Sequence, residues 1–210
     1  MLMTIEEMIF PAGTKVLVWR LEEEAPQLLV LCCEEGIPVE DLETLPVKRQ
    51  REKAAERLLL CHALGRLVTI SHTNQGAPCV LGVDVNISIT HTPSLVALAV
   101  NDRLVIGLDA EQADRRQVLK VRDKFLNASE QQFIAPDDLA AHIVAWTAKE
   151  AIIKAERNSA IDWTDGIVIK PFAANTDETV LRAHCGDRTY ALVCRLIEGH
   201  YMTHAVACQS

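Results

Sequence analysis

Two carboxylates stand at i and i+2 in Ile106-Gly107-Leu108-Asp109-Ala110-Glu111, directly behind an apolar run. On a strand, that spacing sends both side chains to one face. Further along, Trp146-Thr147-Ala148-Lys149-Glu150-Ala151-Ile152-Ile153-Lys154 reads as helix, where Trp146, Glu150 and Lys154 share a face at successive i+4 steps. If the strand face meets the helix face, Asp109, Glu111 and Glu150 converge beside an ammonium group. Hard divalent cations take oxygen ligands and often share them with phosphates, so this set suits a metal-assisted phosphate site. Each motif alone has a plainer reading. An Asp-x-Glu at a strand end is usually a solvated edge pair, and Lys149-Glu150 an exposed helix pair. The order of the motifs, which delivers a third carboxylate, favours chemistry.

The elements that must position these groups follow from periodicity. Lys15–Arg20 alternates around Val16, Val18 and Trp19 and predicts an opening strand, while Leu28–Cys33 is compatible with strand or helix. Strong helix formers run from Lys48 to Leu60 after Pro46, with Ala54, Leu58, Cys61 and Leu64 in one stripe and Gly65 as a stop signal. Asn74-Gln75-Gly76-Ala77-Pro78 is turn-rich. Val85–Thr90 alternates, with Asn86, Ser88 and Thr90 on its polar face and His91 next. Leu95–Val100 and Leu104–Leu108 flank Asn101-Asp102-Arg103, which predicts a tight hairpin whose second arm delivers Asp109 and Glu111. After Glu111 the chain reads as basic and helical, with Arg115, Arg116, Lys120, Arg122 and Lys124. Ser129-Glu130 predicts a helix running towards Phe133, and Asp137-Asp138 a cap for the helix through Trp146 to Arg157. Further strands are predicted at 166–172, 179–184, 189–196 and 201–208.

The 210 residues suffice for one large domain or two small halves, and a hydrophobic content of 49% allows a sizeable core. A formal net charge of -8 argues against broad nucleic-acid binding and leaves room only for a local basic patch. Apolar runs such as Leu95–Val100 are of strand length, so no membrane span is predicted. Met1–Phe10 carries Glu6 and Glu7 and no early basic cluster, unlike a secretory signal. The seven cysteines have no Cys-x-x-Cys spacing and read as mostly buried, reduced thiols of a cytoplasmic protein, with neither a disulfide framework nor a zinc site supported.

In this order the motifs resemble the 4′-phosphopantetheinyl transferase superfamily, more closely its long, Sfp-type members than the short trimeric holo-carrier-protein synthases. Ser88-Ile89-Thr90-His91 is similar to the family's Ser-His strand end, and Gly107 to Glu111 to its Gly-Asp-x-Glu strand. Phe125-Leu126-Asn127-Ala128-Ser129-Glu130 is similar to its Phe-x-x-x-x-Glu step, and Trp146 to Lys154 to its Trp-x-x-Lys-Glu-x-x-x-Lys helix. The helix at 48–60 and Gly76-Ala77-Pro78 resemble parts of the family's N-terminal half, so the resemblance spans roughly 48–170. Three positions depart from the pattern. Ala77 stands where a basic residue is usual, Ala110 where Ile is usual, and Thr90 takes the serine position before the histidine.

The resemblance implies an α+β fold of two similar halves about a pseudo-twofold axis, each a small antiparallel sheet packed with helices. The split would give a coenzyme A side at 1–100 and a metal and carrier-protein side at 101–210. It implies transfer of 4′-phosphopantetheine from coenzyme A to a serine of an apo acyl or peptidyl carrier protein, releasing 3′,5′-ADP. Asp109, Glu111 and Glu150 would hold Mg²⁺, and Lys154 would reach the phosphates. The base would be Glu150 or a water held by the metal. His91 and Lys149 would contact coenzyme A phosphates, with Thr90 and Gly76 also on the coenzyme and Arg51 at its 3′-phosphate or adenine end. The stretch 115–124 would dock an acidic carrier, and the enzyme would act as a cytoplasmic monomer without nucleic-acid or membrane partners. Two alternatives stand beside this. One is an idle relative that binds coenzyme A or carrier without transfer. The other is a metal-dependent phosphohydrolase using the same acidic trio.

Overall fold

Every residue of Leu95–Asn101 is buried, which requires cover on both faces of that strand. The computed structural model, which describes residues 4–73, 75–174 and 177–208, supplies that cover by stacking two antiparallel sheets between helices. In chain order the elements are β1 (Ile5–Phe10), β2 (Thr14–Arg20), α1 (Ala25–Glu34), α2 (Val47–Leu64), β3 (Ile70–His72), β4 (Pro78–Val80), β5 (Asn86–Thr92), β6 (Leu95–Asn101) and β7 (Ile106–Gln112). There follow α3 (Gln117–Lys120), α4 (Leu139–Glu156), β8 (Ile167–Ile169), β9 (Glu178–Cys185), β10 (Arg188–Ile197) and β11 (His200–Ala207).

One sheet has the order β1-β2-β6-β5, the other β7-β11-β10-β9-β8, and β3 and β4 form a small ribbon. Strand alternation divides the core into three layers. Leu17, Trp19 and Leu98 pack outward against Leu28, Cys32, Ala54 and Leu58 of α1 and α2. Val16, Val18 and Ala97 turn inward and meet Ile106, Leu108, Met202 and Val206 of the second sheet. The far face of that sheet, with Leu192 and Ala205, packs on Ala148 and Ile152 of α4. This is a mixed fold of antiparallel sheets packed with helices, as expected.

Four local expectations are corrected. Residues 101–103 do not close a hairpin, because β6 and β7 belong to different sheets. Asn101 makes the crossing possible: its Oδ1 accepts from the N–H groups of Arg103 and Leu104 at 2.9 and 2.8 Å, and its amide donates to Ala12 O at 3.1 Å. Ser129-Glu130 opens only a single 3₁₀ turn, Glu130–Gln132, and the basic stretch after Glu111 holds only the four-residue α3 and a 3₁₀ turn at Arg122–Lys124. The chain also opens one strand earlier than read, with β1 paired along β2. The open case at Leu28–Cys33 resolves as helix, since Leu28 and Cys32 lie four apart on the buried face of α1. Asp138 caps α4 as read, its Oδ1 accepting from Ala141 N–H at 2.9 Å. The turn residue Asn74 lies outside the described residues. All seven cysteines are free thiols; Cys32, Cys185 and Cys194 are buried, while Cys33 and Cys208 are exposed. Among the described residues, no helix is long and apolar enough to cross a membrane.

Candidate active site

The position of α4 is set by a missing side chain. A Cβ on Gly107 would lie 1.7 Å from the carbonyl oxygen of Ala151, so only glycine lets the helix backbone rest directly on β7. Alternation then sends Ile106, Leu108 and Ala110 into the core between the sheets and Asp109 and Glu111 towards α4. Ala110 therefore points away from the carboxylates, as the spacing required. Asp109, Glu111, Trp146, Glu150 and Lys154 all line one cavity of about 310 Å³, together with Thr90 and His91 of β5.

β7 is an edge strand of its sheet, and its outward N–H groups need acceptors. Two hydroxyls of β5 provide them: Leu108 N–H donates to Ser88 Oγ at 2.8 Å, and Ala110 N–H to Thr90 Oγ1 at 3.1 Å. The polar face of the β5 alternation thus becomes a seam between the sheets. Thr90 Oγ1 donates its own proton to Asp109 Oδ1 at 3.1 Å. Lys154 closes the seam from above, donating to Ile89 O at 3.2 Å, Leu108 O at 2.9 Å and Asp109 Oδ1 at 2.7 Å.

The three carboxylates sit in different electrostatic settings. Asp109 is held by Thr90 and Lys154. Glu111 pairs with Arg115 Nη1, whose guanidinium lies 5.8 Å from the ring centre of Trp146. Glu150 has no hydrogen bond or ion pair among the described residues. Burial first, and then the charge of Asp109, push its carboxyl above the usual range, with Lys154 opposing. His91 lies between Glu52 Oε2, 3.3 Å from its Nε2, and Glu56 Oε1, 3.8 Å from its Nδ1. Burial lowers its pKa despite these two glutamates, so near neutral pH it is an uncharged hydrogen-bonding group.

Four residues expected on the coenzyme have other duties. Lys149 is fully buried, and its ammonium donates to Glu130 Oε2 at 2.8 Å, Trp163 O at 2.6 Å and Ile167 O at 2.9 Å. All three of its protons are donated inside the protein. Arg51 is likewise turned inward, its guanidinium donating to Glu23 O, Pro93 O and Leu21 O at 2.6, 2.8 and 2.8 Å. It ties α2 to two loops. Thr90 gives its only hydroxyl proton to Asp109 and so orients a carboxylate. Lys154 is a clamp between β5, β7 and Asp109 rather than a free point charge, although its charge stays at the cavity wall. The Phe125…Glu130 step is explained the same way. Glu130 pairs with Lys149, and Phe125 packs edge-on against Trp146 at 5.3 Å, so both ends of the step anchor on α4.

Gly76, at φ +83°, turns the chain between β3 and β4 and lines a second cavity of about 240 Å³ with Ala77, Pro78, Ser88 and Arg157. This cavity shares Ile89 and Lys154 with the first, so the two adjoin across that pair. Sequence reasoning assigned no role to the Ser88 hydroxyl or to Arg115 individually. The Ser88/Thr90 alternation was a signal for the former. Arg115, i+4 from Glu111, was hidden within a general basic run.

Hard oxygen donors facing one cavity, one of them half-buried and unpaired, fit a small divalent cation by chemistry. Among the described residues, however, no three His, Cys, Asp or Glu side chains are gathered at ion-holding distance. Compared with known proteins, the chain matches the family model described as the 4′-phosphopantetheinyl transferase superfamily over residues 105–207. That span contains β7, α4 and the three carboxylates, and leaves β5, α2 and the Gly76 turn outside. No curated protein matches the chain.

Proposed function

Because the chain carries a 4′-phosphopantetheinyl transferase superfamily domain at residues 105–207, we propose that the whole chain is an Sfp-type transferase that acts as a monomer. It moves 4′-phosphopantetheine from coenzyme A to a serine hydroxyl of an apo acyl or peptidyl carrier protein and releases 3′,5′-ADP. The superfamily match carries phosphopantetheine transfer in general. The observation that carries the finer reading is the convergence of Asp109, Glu111 and Glu150 on one cavity.

The reaction is attack of the serine oxygen on the pyrophosphate phosphorus that bears the pantetheine, with the bond to the 5′-phosphate of 3′,5′-ADP breaking. Its two obstacles are the charge of the pyrophosphate and the weakness of a hydroxyl nucleophile. Asp109, Glu111 and Glu150 are the residues that would hold Mg²⁺, which when bound neutralises charge on the phosphates. Thr90 and Lys154 keep Asp109 aimed at the cavity. Lys154 adds a fixed positive charge at its wall, which favours an anionic substrate there. Glu150 takes the serine proton: it is half-buried, has no hydrogen bond to break, and its proton affinity is already raised. His91 lines the same cavity and reaches a phosphate oxygen with a ring N–H only by giving up its contact with a glutamate of α2. The adjoining cavity beside Gly76 and Arg157 extends the site towards the remainder of the coenzyme, with 1–100 as the coenzyme side and 101–210 as the metal and carrier side.

The test is incubation of the protein with coenzyme A, Mg²⁺ and an apo carrier protein, read by mass, with Asp109→Ala as the blank. Carrier heavier by one phosphopantetheine supports the reading. Coenzyme binding without modification of any carrier supports an idle relative, and coenzyme cleavage without carrier a phosphohydrolase.

A further inference from the structure

Three cationic or potentially cationic groups line the carboxylate cavity: Lys154, His91 and Arg115. An incoming pyrophosphate needs positive charge with free N–H donors. Lys154 has committed its three protons to Ile89 O, Leu108 O and Asp109. His91 is held uncharged by burial between two glutamates of α2. Arg115 alone keeps donors in hand among these described groups. Among the described residues its one ion-pair partner is Glu111, through Nη1, and its guanidinium otherwise rests over the Trp146 ring. Its side chain is 43% exposed, whereas that of Glu111 is 11% exposed, so the guanidinium is the partner free to move.

The pair also poses a conflict of charge. The guanidinium at Glu111 Oε2 and a divalent cation repel each other and compete for one carboxylate, whose Oε1 already accepts from Gln112 N–H at 2.9 Å. A planar guanidinium matches two phosphate oxygens as well as it matches a carboxylate. We propose that Arg115 is an exchanging counter-ion: it neutralises Glu111 in the ligand-free protein, yields that carboxylate when a divalent cation arrives, and swings from the Trp146 face onto a coenzyme phosphate. Arg115 is then a further substrate-binding residue, one whose donors are not already tied up as those of Lys149 and Thr90 are. The inference rests on the reading of the cavity as a metal and phosphate site.

This role has a signature that a merely structural arginine lacks, because removing the guanidinium changes two affinities in opposite directions. Arg115→Met keeps the aliphatic stem on Trp146, and Arg115→Gln serves as a second variant. Binding of Mn²⁺ alone is measured from the electron paramagnetic resonance of the free ion, and binding of coenzyme A by calorimetry at saturating Mn²⁺. Both variants bind Mn²⁺ about fivefold more tightly than wild type, the scale of a half-exposed ion pair lost together with one nearby positive charge. Both bind coenzyme A about tenfold more weakly, the scale of one charge-assisted phosphate contact. Unchanged Mn²⁺ affinity in both variants overturns the counter-ion role while leaving the metal site standing. Unchanged coenzyme affinity overturns the phosphate role. Wild-type protein that binds neither Mn²⁺ nor coenzyme A overturns this inference and the proposed function together.

Discussion

Substitution of Lys149 by methionine separates the two duties a lysine beside Glu150 can have. The ammonium is fully buried and satisfies Glu130 Oε2, Trp163 O and Ile167 O. Glu130, also fully buried, keeps only the N–H groups of Asn127 at 2.9 Å and Ile169 at 2.8 Å when the lysine is gone. A buried charge left without its partner costs about 3–5 kcal/mol. Two carbonyls also lose a donor, and methionine packing recovers part of the loss, so about 4 kcal/mol is the expected destabilisation. For a chain of this size that corresponds to a fall in Tm of roughly 8–16 °C. The double variant Lys149→Met/Glu130→Gln removes the stranded charge and should recover a good part of that loss. Calorimetric unfolding gives the stability, and coenzyme A titration at a temperature where the variant is folded gives the affinity, expected within about twofold of wild type. A variant with wild-type Tm and coenzyme affinity weakened tenfold or more would refute the buried-pair argument and restore Lys149 as a phosphate contact.

Gly107→Ala places a methyl 1.7 Å from Ala151 O and 2.7 Å from its carbonyl carbon, so α4 must lift from β7. The expected loss is about 3 kcal/mol or more, read as a lower Tm, and transfer falls because Glu150 leaves Asp109. Thr90→Val keeps the shape but strands Ala110 N–H and removes a donor from Asp109, which should cost about 1–3 kcal/mol in urea unfolding, whereas Thr90→Ser should restore most of it. His204 is buried in β11 with no partner at Nε2 among the described residues, and burial followed by the charge of Arg195 lowers its pKa to about 4. Its folded pKa lies below the unfolded value near 6.5. Its contribution is therefore complete above that value and is lost as pH falls from about 6.5 to about 4, up to about 3 kcal/mol in all. Urea unfolding of wild type and His204→Leu at pH 7 and pH 4.5 checks this, with the variant showing the shallower acid loss.

Local pattern was enough for whatever depends on one element's own geometry. Strand alternation put Asp109 and Glu111 on one face and Ala110 on the other. Helical spacing put Trp146, Glu150 and Lys154 together, and the signals at Gly65 and Asp138 marked where α2 ends and α4 begins. The order of these motifs carried the family, which the match at 105–207 bears out. These features are legible because side-chain direction repeats with the backbone period. What only the tertiary structure decided is who spends each donor and acceptor. Spacing made Lys149, Arg51 and Thr90 look available, but backbone carbonyls and carboxylates from distant segments take every proton of Lys149 and Thr90 and three of the five guanidinium N–H groups of Arg51. The same limit hid the crossing at Asn101, where β6 and β7 part into separate sheets, because strand pairing is settled by packing between remote segments. It also concealed Arg115, whose partners Glu111 and Trp146 come together only when α4 lies on the bare backbone of Gly107.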